Sequence, residues 1–113
     1  MSPQLKAAFA NEMQQAKDYF RAGDINSAFI HLERAHILGQ RDTLRHTWSH
    51  WWMFRVGLRS RDFREVRGQV LRMVAALLFS RIWVPEGNTG GANVSPLKPM
   101  PIPADLLELL KKN

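Results

Sequence analysis

INSAFIHLERAHILGQRDTLRHTWSHWWMFR, residues 25–55, sets the architecture of this chain. Two helical patterns meet in it across the polar turn GQRD. The first is headed by Asp24, whose carboxylate can cap a helix start, and it carries Ala28, Leu32 and Ala35 at core spacing as far as residue 38. Gly39 is expected to end it. The second begins at Asp42 or Thr43 and continues to about residue 59. A linker this short makes consecutive helices antiparallel neighbours.

The pattern extends outward in both directions. Residues 3–21 place Leu5, Ala8, Phe9, Met13, Ala16 and Phe20 on one face, with Ser2-Pro3 as a helix entry and Ala22-Gly23 as an exit. On the far side, Asp62 can cap a fourth helix reaching about residue 83, and Pro85 forbids further helix. Its apolar side, Val66, Val70, Met73, Val74 and Leu77, is expected to be buried. Asp24-Ile25 recurs as Asp62-Phe63, and at that offset Ala28, Leu32 and Ala35 meet Val66, Val70 and Met73. The expected fold is therefore all-α, two antiparallel helical hairpins over residues 1–84. Residues 85–113 belong to the same domain. They form a Gly/Asn/Pro-rich tail, PEGNTGGANVSPLKPMPIP, and a short terminal helix from 106 to 111. Val94, Leu97, Met100 and Ile102 can pin the tail to the helices, and Leu106, Leu107, Leu109 and Leu110 need something to cover.

Residues 3–38 resemble a tetratricopeptide repeat: Ala16, Tyr19, Gly23, Asp24, Ala28 and Ala35 fall at that family's spacing. The second half departs from it, with Arg61 at the turn glycine, larger side chains at 66 and 73, and Gln40 where proline is usual. Beyond about residue 23 the chain also resembles a small bacterial family without an assigned biochemical role. That resemblance rests on HLERAHILGQ, the His46/His50 pair, RDFREVRGQVLRM and GNTGGANVSPLKPMPIPADL. The family's motif residues fall on His36, Gln40, His46, His50, Asp62, Glu65, Gln69, Asn88, Gly90, Asn93, Met100 and Pro101. The resemblance implies a shared helical fold and draws attention to the histidines.

Composition narrows the function classes. With no cysteine among 113 residues, disulfides, thiolate metal sites and cysteine nucleophiles are excluded. The start of the chain lacks the pattern of a secretory signal, so a cytoplasmic location is expected. The segment 73–84 is too short and too interrupted, by Ser80 and Arg81, to span a membrane. The net charge of +6 permits nucleic acid or acidic lipid as partners. No nucleic-acid signature accompanies it, so a protein partner is the favoured reading. Trp48, Trp51 and Trp52 are compatible with a homo-oligomer surface or with one packed helix face.

The histidines carry the chemical possibilities. His46 and His50 are four residues apart and share a helix face, a spacing that can chelate one ion. Antiparallel packing about GQRD brings His36 to the level of His46, and Glu33 precedes His36 at the Glu-x-x-His spacing of carboxylate metal bundles. Glu33, His36, His46 and His50 thus form a candidate site for zinc, iron or copper. His31 points away from them. Asp62, Glu65, Gln69 and Arg72 form a polar stripe on the fourth helix that can orient imidazoles from outside. Asn88, Thr89 and Asn93 are expected to satisfy backbone groups where the tail crosses the bundle. Three functions remain open: an interaction or adaptor module, a metal or cofactor binder, and an enzyme exchanging protons through histidine and Glu65.

Overall fold

A computed structural model describes residues 1–111. Among them lie five helices and no strand: α1 (Pro3–Ala22), α2 (Ile25–Gly39), α3 (Thr43–Ser60), α4 (Phe63–Phe79) and α5 (Ala104–Lys111). The four long helices start where short polar side chains accept from the first turn. Ser2 Oγ takes Leu5 N–H, and Asp24, Asp42 and Asp62 take the N–H groups of Ser27, Arg45 and Glu65, at 3.0–3.1 Å. Gly23 closes α1 in the left-handed conformation. Arg61 does the same for α3 at φ 57°, despite its Cβ.

Helices α1 and α2 pack as one hairpin and α3 and α4 as another, with α2 against α3 between them. The core sits on α1, α2 and α3: Leu5, Phe9, Met13, Leu32, Ala35, Trp52, Met53 and Val56. Leu106 of α5 completes it against α1 and α2, held there by Arg34, which bridges Glu12 and Asp105. Gly39 is the last residue of α2 rather than a left-handed cap. It is needed for space, because a Cβ there would stand 2.9 Å from the Phe9 ring.

Two expectations fail at α4. The helix stops at Phe79, not near residue 83. Ser80 donates its hydroxyl to the Ala76 carbonyl, and the chain then turns so that Pro85 reaches Gln40. The apolar side is not buried either. Ala28, Leu32 and Ala35 are sealed, but at the matching positions Val66 and Met73 are half-buried and Val70 is 46 % exposed. The helix turns Glu65, Gln69, Ala76 and Ser80 inward instead. The polar stripe and a loop strapped across it occupy the place where apolar packing was expected. No helix among the described residues is long and apolar enough to cross a membrane.

A candidate metal centre of three histidines

Helix α2 contributes His36 and α3 contributes His46 and His50, all three buried. Their Nε2 atoms form a nearly equilateral triangle with edges of 3.0, 3.1 and 3.2 Å. Each ring is aimed from behind by its other nitrogen. His36 Nδ1 donates to the main-chain carbonyl of Asn88 at 2.7 Å, His46 Nδ1 to Ser80 Oγ at 2.8 Å, and His50 Nδ1 to Gln69 Oε1 at 2.5 Å.

These partners decide where the hydrogens are. The Asn88 carbonyl can only accept. Ser80 spends its hydrogen on Ala76, so toward His46 it accepts. Gln69 gives its amide N–H groups to Glu65 (2.6 Å) and to the Gly90 carbonyl (2.8 Å), which turns its oxygen to His50. A neutral imidazole carries one hydrogen, and in all three rings it lies on Nδ1. The three Nε2 lone pairs therefore face one another with no donor among the described residues between them.

A shared proton could relieve that repulsion, but the surroundings oppose it. Burial pushes His36 well below the usual imidazole range, and His50, His46 and Arg72 add to the shift. Burial lowers His46 to about 4 and, with help from His46 and Arg72, lowers His50 to about 3. At neutral pH the triangle is made of three neutral imidazoles. Three neutral imidazole nitrogens converging this closely would suit a divalent transition metal, to which His36, His46 and His50 would each offer one nitrogen.

The triangle forms part of the wall of a cavity of about 200 Å3. Phe79, Trp83, Val84 and Leu97 make that wall mostly apolar, and Arg72 is the charged side chain in it among the described residues. The space beside the three imidazoles has room for a small molecule or water.

The loop over the site is built for it. Asn88 is the hub: its amide donates to the Ser95 and Lys98 carbonyls at 2.7 and 2.8 Å, and its side-chain oxygen accepts from Gly90 N–H. Gln40 clamps the same loop through the Pro85 carbonyl and Gly87 N–H. Gly90 has φ 86°, and a Cβ there would lie 2.5–2.8 Å from three atoms of the His36 ring. Glycine is thus required twice over, by the backbone and by the His36 ring beside it.

The other expected residues divide. Glu33 does not join the histidines, which form the potential ligand group without it. It lies beside Asn93 and Glu65 on the wall of a different cavity, and burial pushes its carboxyl up against the opposing effect of the Thr89 hydroxyl. The turn of helix between Glu33 and His36 rotates the carboxylate off the triangle. Of the polar stripe, Gln69 touches His50. Glu65 acts through Gln69 and accepts the Ala92 N–H at 2.9 Å. Arg72 reaches the cavity and donates to the Val94 carbonyl. Asp62 is an exposed cap. Asn93 is exposed, so Asn88 alone of the two asparagines secures the crossing. His31, as expected, lies apart, bonded to Glu12 and stacked on Tyr19. Sequence reasoning missed Ser80 as the partner of His46. Its one trace was a polar residue interrupting an apolar run.

The chain belongs to a family described as protein of unknown function DUF3703, whose model matches residues 3–110. No curated protein and no solved structure matches it.

Proposed function

We propose that this protein binds one divalent transition-metal ion through Nε2 of His36, His46 and His50, with a coordination position left open toward the apolar cavity. One observation carries the reading. All three Nδ1 atoms are committed to acceptors, so three buried Nε2 lone pairs converge within 3.2 Å with nothing to donate to them. Outer acceptors of this kind recur around histidine metal sites because they fix the tautomer and raise ligand basicity. Zinc fits best among zinc, iron and copper. The donor set is three neutral nitrogens, it matches a tetrahedral base, and it lacks the carboxylate of the usual non-haem iron triad.

The test is a titration of metal-free protein with cobalt(II), then competition with zinc, iron(II) and copper. One equivalent of cobalt should bind with the visible absorption of a four- or five-coordinate ion. His46→Ala should weaken binding at least tenfold, whereas Glu33→Gln should leave it unchanged. Cobalt that stays six-coordinate, or equal binding by the His46→Ala variant, would end the proposal.

The adaptor reading keeps one specific support, the uncovered apolar side of α4. The proton-exchange reading loses its second partner. Glu65 is held by Gln69 and Ala92 and does not line the histidine cavity.

A further inference from the structure

Helix α4 leaves an apolar surface that no other described residue of the chain covers. Residues 73–79 read MVAALLF, and of these only Ala76 is buried. Leu71, Val74, Leu77 and Leu78 are 52–72 % exposed, and Ile82 and Trp83 continue the patch at 81 and 54 %. A helical segment that is apolar all round, as residues 73–79 are, is built to be enclosed. Stacked helical hairpins have the same requirement. Each hairpin buries its face against the next, and a terminal one needs a polar outer surface. Here α5 and the tail cap α1, α2 and the inner side of α4, while the outer side has no such cap.

We infer that the outer side of α4 is the interface between two copies of this chain, and that the second copy closes the histidine cavity. The area supports one occupant of the chain's own size. The exposed fractions of those six residues correspond to roughly 700 Å2 of surface, above the ~300–600 Å2 of the largest patch on a typical monomer and near the ~800 Å2 each partner gives a stable dimer. A twofold pairing of one such surface with itself is the commonest way proteins enclose it. Arg67 precedes these residues and Arg81 falls among them; both are exposed, with side chains long enough to carry their charges out to water. Phe79, Trp83 and Leu97 belong both to the exposed surface and to the cavity wall. A chain docked there covers the cavity mouth, so an ion's open position would face an enclosed apolar space. The pairing stands on surface chemistry and does not depend on the metal. Only its consequence for the cavity rests on the reading of the site given above.

Sedimentation equilibrium of the full chain at micromolar concentration tests it. The wild type should have twice the 13.0 kDa chain mass. Leu78→Glu and Val74→Glu should each be monomeric with unchanged helical circular dichroism, since both positions are exposed within the chain. The chain has no cysteine, so single substitutions Leu71→Cys, Val74→Cys and Leu78→Cys provide a second readout that needs no disruptive charge. Under mild oxidation at least one should cross-link faster than an Asp18→Cys control. A monomeric wild type overturns the inference, whether it stays free or pellets with phosphatidylglycerol vesicles. So does a dimer that survives both glutamates, or a cysteine series no faster than the control.

Discussion

Acidification of the metal-free protein gives the most quantitative consequence of burying three imidazoles together. In the unfolded chain His46 and His50 take up protons near pH 6.5, whereas in the folded chain they do so only near 4 and 3. Between those values the unfolded state binds protons that the folded state refuses. Stability is therefore full above about pH 7 and is lost as the pH falls toward 4. The loss levels off once the folded rings also protonate. At pH 5 the linkage amounts to about 2 kcal/mol for each of the two rings. His36 is shifted in the same direction and adds to it. Against the 5–15 kcal/mol typical of a domain, ~4 kcal/mol is a large fraction. The assay is urea unfolding of chelated protein from pH 7.5 to 4.5, followed by circular dichroism. Saturating zinc should raise the midpoint at pH 7.5, and this gain should vanish with acid because protons and metal compete for the same nitrogens. A metal-free stability that is flat from pH 7.5 to 5 would refute the enclosure of the rings, whatever the protein binds.

Three further outcomes follow from single contacts. Gly90→Ala should cost about 1–2 kcal/mol for the left-handed backbone alone, and more from the displaced His36 ring, so metal affinity in the cobalt titration should fall with it. Gln69→Leu removes the acceptor that aims His50, and metal binding should weaken about 10–100-fold by the same titration. Arg61→Gly relieves the left-handed residue that ends α3 and should stabilise the protein by about 0.5–1 kcal/mol in urea unfolding, leaving metal binding unchanged.

The histidine cluster is partly legible in the sequence. The i, i+4 spacing of His46 and His50 and the short GQRD turn together demand that three rings share one level of the bundle. Glu33 shows where such reasoning stops. Its spacing to His36 suits a shared ligand set, but three residues along a helix leave an angle of tens of degrees, and the packing of α2 against α3 aims only His36 at the triangle. Ser80 and the Asn88 carbonyl lie 34 and 52 residues from the rings they hold. No local pattern encodes such a pairing, and a carbonyl has no side-chain identity to betray it.

Local chemistry settled the all-helical character, the hairpin order and the positions of the helix starts. Caps, glycine exits, proline and apolar spacing act within a turn or two of the chain. Tertiary structure alone decided which face of α4 points inward. Period and hydrophobicity favoured Val70 and Val74, yet the folded chain buries Gln69 and Glu65, because they bond each other while His50 and a loop arriving from the tail supply their remaining partners. A helix can state that it has an apolar side, but what that side meets depends on surfaces that only folding, or a second chain, brings to it.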